Sequence, residues 1–141
     1  MVRPSQRRFK EICAEILASN GGIRFVGIAD GKSRIIASEF RSGTSPLLSQ
    51  DESALSFVLS IVKIKSDKAL RPKLGNIRCS IALYEKIAIA TMPLGTAHFL
   101  MVSLDRDIDH ESIIFNDIWP VKAKIDNLDI GSAADRKSAP Q

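Results

Sequence analysis

The residues Gly27-Ile-Ala-Asp-Gly-Lys-Ser33 come nearest to a chemical motif in this chain. Gly31, Lys32 and Ser33 match the end of the phosphate-binding pattern G-x-x-x-x-G-K-[ST], in which backbone amides of a glycine-rich loop cradle phosphate oxygens. The spacing argues against that chemistry, because Val26 stands where the first glycine belongs. The context argues against it too. A phosphate loop feeds a helix whose N-terminus meets the anion, whereas "RIIASEF" after Ser33 is β-branched and aromatic and reads as a strand. Asp30-Gly31 between two such runs predicts a tight hairpin turn with positive φ.

Asp105, Asp107 and Asp109 open like a calcium loop, but His110 replaces the expected glycine and Asn116 the expected bidentate glutamate. Capping of the following helix accounts for these acids. His98 and His110 lack the H-x-x-x-H or C-x-x-C spacing of metal ligands, and no G-x-S-x-G elbow is present. Cys13 and Cys79 lie far apart, each at an apolar position, and read as small core residues. No residue is therefore assigned a catalytic, cofactor-binding or metal-ligating role, and no cofactor is expected.

Among the elements that would position these residues, 4–19 read as an amphipathic helix with Phe9, Ile12, Cys13, Ile16 and Leu17 on one stripe. Strands are expected at 23–29 and 33–40, with a loop over "RSGTSPLLS". A long helix over 50–68 follows, opened by a Ser49/Glu52 capping box. Leu55, Val58, Leu59 and Val62 form one apolar stripe on it; Ala54, Phe57, Ile61 and Ile64 add a second face. Its own domain can cover one side, so the other requires a further surface. Pro72 and Gly75 close this region. Period-two alternation predicts strands at 77–84 and 87–92, with small residues on one face that let a helix lie close, and after the turn at "GTA" the run "HFLMVSL" reads as a fifth strand over 98–104. A last helix spans 109–125, with Pro120 expected to kink or end it near Trp119.

The chain of 141 residues carries a net charge of +4, and its apolar runs fall well short of a membrane span. A single domain over 1–125, a disordered tail over 126–141 and a cytoplasmic location are expected. Cations gather over 63–78 (Lys63, Lys65, Lys68, Arg71, Lys73, Arg78). Aromatic residues make up only 6% of the chain and mostly occupy apolar stripes, which argues against a nucleic-acid surface built on stacking.

The order α-ββ-α-βββ-α, with "GIRFVGIADGKSRIIAS" as first hairpin and "KLGNIRCSIALYEKIAIATMPLG" leading into the three-strand unit, resembles the roadblock family of dynein light chains and bacterial polarity regulators. It also looks like a group of archaeal proteins with this layout. The resemblance implies an α+β, roadblock/profilin-like fold: a five-stranded antiparallel sheet with the long central helix on one face and the two terminal helices on the other. It further implies a homodimer that continues one sheet, paired through Leu55, Val58, Leu59 and Val62 and through Ile77, Cys79 and Ile81 of the edge strand. Such dimers serve as platforms for small GTPases or as adaptor subunits. The expected function is thus a non-enzymatic, regulatory protein-interaction module. A small-molecule sensor of PAS-like or profilin-like layout is the alternative, and a nucleic-acid-associated protein using the 63–78 cations a weaker one.

Overall fold

A computed structural model describes residues 4–126. The expected disordered tail lies outside the described residues, except for Asp126, which sits on the last helical turn.

Helix α1 (Pro4–Ser19) buries its whole predicted stripe, from Phe9 to Leu17. Its C-terminal carbonyls, which have no partner inside the helix, are met by a residue far along the chain. Arg41 donates from Nη2 to the carbonyls of Leu17 at 2.7 Å and Asn20 at 2.5 Å, and from Nε to that of Ile23 at 2.6 Å. One guanidinium thereby ties the end of the helix to the start of strand β1 (Ile23–Asp30) and the end of β2 (Ile35–Phe40). Asn20 adds a second tie, donating to Asp117 at 3.1 Å.

Helix α2 (Gln50–Lys65) opens with both halves of the Ser49/Glu52 capping box in place. It ends three residues earlier than the sequence predicts. Ser66 turns its hydroxyl back onto the Lys63 carbonyl at 3.0 Å, a competing bond that weakens helix propagation. A short helix, α3 (Arg71–Leu74), follows; Pro72 lies in its first turn, where a missing N–H costs nothing. Gly75, at φ 81°, closes it in a conformation that suits glycine.

Strands β3 (Ser80–Leu83), β4 (Ile87–Leu94) and β5 (His98–Asp105) complete an antiparallel sheet of order β2-β1-β5-β4-β3. The edge strand β3 is shorter than the predicted 77–84, since residues 76–79 stay outside the ladder. The C-terminal helix, α4, begins at His110–Ser112, widens into a π-helical stretch over Ile113–Ile118 and runs on through residues 119–126. Pro120 does not end it. Proline lacks the N–H for an α-helical bond and would press on the carbonyl four residues back. The wider turn just ahead of Pro120, in which Trp119 N–H reaches Ile114, eases that conflict.

The two sheet faces carry unequal loads. Val26, Ile28, Ala88, Ala90, Met92, Leu100, Val102 and Leu104 meet α1 and α4 in the main core. The opposite face has a small cluster: Phe25, Ala29, Ile89 and Met101 beneath Phe57 and Ile61 of α2. Seating Phe57 requires Gly27 in β1, because a Cβ there would lie 2.5 Å from Phe57 Cζ. Gly27→Ala should therefore push α2 outward and cost about 1–3 kcal/mol by overpacking, read as a lower urea midpoint with little change in slope.

Candidate functional site

The Asp30–Arg34 loop is a hairpin turn, though of a different kind from the predicted two-residue form. Ser33 N–H donates to the Asp30 carbonyl at 3.0 Å, and Ser33, at φ 67°, is the left-handed residue. That is a turn followed by one left-handed position, the three-residue hairpin loop. Asp30 holds it: Oδ1 accepts from the backbone of Lys32 at 2.9 Å and Arg34 at 3.0 Å, and Oδ2 from Arg34 Nε at 2.8 Å. The bond from the Arg34 amide is the largest cause that lowers the Asp30 carboxyl pKa below its ordinary 3.8, followed by the Arg34 side-chain and Lys32 bonds. The loop also turns a carbonyl toward a cation, with Gly31 O accepting from Lys65 Nζ at 2.5 Å. A phosphate cradle needs amide donors there instead.

The acidic stretch is likewise engaged. Asp105 pairs with Arg24 at 3.4 Å, Asp109 caps Ser112 N–H at 3.1 Å, and His110 Nε2 lies 2.9 Å from the Asp105 carbonyl. Among the described residues no group of three or more His, Cys, Asp or Glu side chains is arranged to hold a metal ion. Burial pushes the Cys13 thiol up to about 12 and the half-buried Cys79 thiol up to about 11, leaving little thiolate at neutral pH.

The apolar surplus of α2 is on the surface. Phe57, Ile61 and Ile64 are buried, while Leu55 is 55%, Val58 41%, Leu59 61% and Val62 55% exposed. Four large aliphatic side chains on one exposed helix face form an apolar strip of the kind that marks a contact surface. The edge-strand residues occupy different ground. Ile81 pairs with Ala90, a residue of the main core, so it projects on the α4 side of the sheet. Cys79 packs against that same core, and Ile77 lines a cleft beside Trp119. The seven residues predicted to pair are thus divided: the α2 stripe lies on one side of the sheet, and Cys79 and Ile81 on the other. On the α2 side β3 presents Ser80 and Ala82, opposite Thr91 and Ile89. Strand alternation predicts this division, since Ile81 and Ala82 must point oppositely, but which face α2 covers is set by tertiary packing.

A void of about 40 Å³ lined by Phe25, Phe40, Leu48 and Met101 lies between the sheet and the N-terminal part of α2, and an open cleft of about 450 Å³ beside it is lined by Ile35, Phe40, Pro46 and Leu48 with Gln50 and Ser53 of α2. The enclosed void is far smaller than the 300–1,000 Å³ of small-molecule sites, whereas the open cleft falls within that range. No helix among the described residues is long and apolar enough to cross a membrane.

The layout agrees with solved structures. The gliding protein MglB of Thermus thermophilus superposes with TM-score 0.74 at 14% identity, over 93% of this chain and 95% of that one. An MglB in a tetrameric arrangement gives TM-score 0.73 at 14% identity, over 93% and 94%. A Roadblock/LC7 domain from Streptomyces avermitilis gives 0.64 at 11% identity, over 84% and 96%. The fold is a roadblock fold. No protein-family model and no curated protein sequence matches the chain. Within the roadblock frame the first hairpin carries a structural carboxylate, and pH tests it. The folded-state pKa of Asp30 is depressed, so its stabilisation is complete above the unfolded value of 3.8 and is lost as pH falls through the lower folded value. Asp30→Asn should lower the thermal midpoint at pH 7, and the gap to the parent should narrow below about pH 4.

Proposed function

We propose that this chain is a non-enzymatic, cytoplasmic interaction module that works as a homodimer and regulates or scaffolds a protein partner of the small-GTPase class. The observation that carries the reading is the uncovered stripe Leu55, Val58, Leu59 and Val62 on a roadblock-like fold. A twin α2 laid against this stripe would bury it, each Leu or Val contributing about 1.5–3 kcal/mol before association costs. The β3 edge supports the same arrangement. Its free backbone groups invite a second strand, and Ser80 and Ala82 leave room for a helix on the α2 side. Ile81, on the other side, then serves the edge through its backbone and not through its side chain. Self-association is described for one structural neighbour, the MglB in a tetrameric arrangement. The GTPase-class partner follows from the resemblance to roadblock polarity regulators.

Leu59→Glu tests the pairing, since Leu59 is the most exposed of the four and has no part in the intrachain core. At about 50 µM, a concentration that populates an association of micromolar strength, light scattering should give twice the monomer mass for the parent chain. The variant should give the monomer mass with unchanged helix content. A monomeric parent chain would sink the homodimer. A pull-down from the native cell, run with parent chain and Leu59→Glu, then tests whether partner capture depends on pairing.

A further inference from the structure

β4 outruns β3 by several residues at its C-terminal end, and an open cleft of about 660 Å³ occupies the ground that β3 leaves vacant. Chain from both sides of the sheet closes on it. Ile64 and Lys65 come from the end of α2, Arg71 from α3, Ile77 and Arg78 from the segment before β3, and Trp119, Lys122 and Asp126 from α4. Three members of the predicted 63–78 cation cluster therefore converge here, joined by a lysine more than forty residues later in the sequence.

The charges do not cancel. Arg71 pairs with Asp67 at 2.7 Å, and Lys122 pairs with Asp126, which also accepts from the Gly95 amide at 2.6 Å. Lys65 and Arg78 have no carboxylate partner among the described residues, which leaves the cleft with two surplus positive charges. Lys122 is only 5% exposed, and its ammonium lies 4.6 Å from the centre of the Trp119 ring. Arg78 holds its guanidinium 5.2 Å from the same ring. A cation stacked on an indole keeps its edge donors available, and none of the Arg78 donors is engaged among the described residues. Phe99, with Lys65 Nζ at 5.8 Å from its ring centre, supplies a second aromatic wall.

We propose that this cleft binds a small anionic molecule, whose phosphate or carboxylate group meets Arg78 and Lys65 and whose apolar body rests against Trp119 and Ile77. A guanidinium with its fork of donors free matches either anion in bidentate fashion. The volume falls within the range of small-molecule sites, and a buried lysine inside the concavity distinguishes it from a flat cationic surface that would suit an extended partner. Such a ligand would bridge α2 and α4, so its occupancy would bear on the helix that carries the exposed stripe.

Trp119 is the single tryptophan of the chain, so its emission reports the site directly. The full chain is titrated with inorganic pyrophosphate and, separately, with citrate, against potassium chloride at matched ionic strength. A saturable change in emission with either anion and not with chloride is expected; the anion that responds identifies the group as phosphate or carboxylate. Arg78→Gln should weaken binding roughly tenfold or more, about 1.4 kcal/mol. Lys65→Gln should weaken it as well, which keeps the test open if Arg78→Gln loosens the fold. Lys63→Gln, outside the cleft, should bind as the parent does. The proposal is overturned by no saturable response up to about 10 mM, an affinity too weak to count as a site. Parent-like binding by both Arg78→Gln and Lys65→Gln overturns it too. So does binding of a polyglutamate peptide where neither small anion binds, which would assign the cleft to an acidic protein segment.

Discussion

The contact of Phe57 with the bare backbone of Gly27 determines how α2 sits. Without a side chain at Gly27, the ring of Phe57 reaches the sheet, and Phe25, Ile61, Ile89 and Met101 close around it. This cluster is small beside the core under α1 and α4. A helix of sixteen residues anchored by so few contacts exposes most of its circumference. Its outer face would ordinarily be charged and polar; here it carries Leu55, Val58, Leu59 and Val62. Burying one face and leaving a second apolar face open is the physical fact on which the interaction reading stands.

Local signals were legible in the sequence where one short segment decides the outcome. The α1 stripe, the Ser49/Glu52 capping box and the first hairpin follow from spacing and residue type, while the edge position of β3 comes from the family resemblance. Details that depend on distant residues or on local competition for hydrogen bonds were not legible. The early end of α2 reflects the Ser66 hydroxyl, the continuation of α4 past Pro120 reflects a π-helical stretch ahead of it, and the left-handed position of the first turn falls on Ser33 instead of Gly31. The exposed α2 stripe was readable from periodicity alone. The division of the predicted pairing residues between two sides of the sheet required knowing which face α2 covers. The Arg78–Trp119–Lys122 cleft had no sequence signal beyond the cation cluster, because its aromatic floor comes from α4.

Polar groups that look like reaction chemistry in the sequence are engaged in holding loops. Asp30 binds its own turn, Gly31 offers its carbonyl to Lys65, Asp109 caps α4 and His110 meets the Asp105 carbonyl. Arg41, inconspicuous in the sequence, joins one helix and two strands through three carbonyls. Buried or half-buried polar groups gain stability from such bonds and lose it when a partner is missing. The loops are therefore well determined by their own chain, in contrast to the outer face of α2.

The brevity of β3 bears on how strongly two copies can hold each other. An edge of four residues offers few backbone groups, and each hydrogen bond it forms with a twin nets only about 0.5–1.5 kcal/mol. In the proposed homodimer the strand edge would align two copies more than bind them, and the side chains of α2 would have to supply most of the attraction. A homodimer balanced in this way, if formed as proposed, would respond to abundance, the fraction of paired chains rising and falling with how much protein the cell makes.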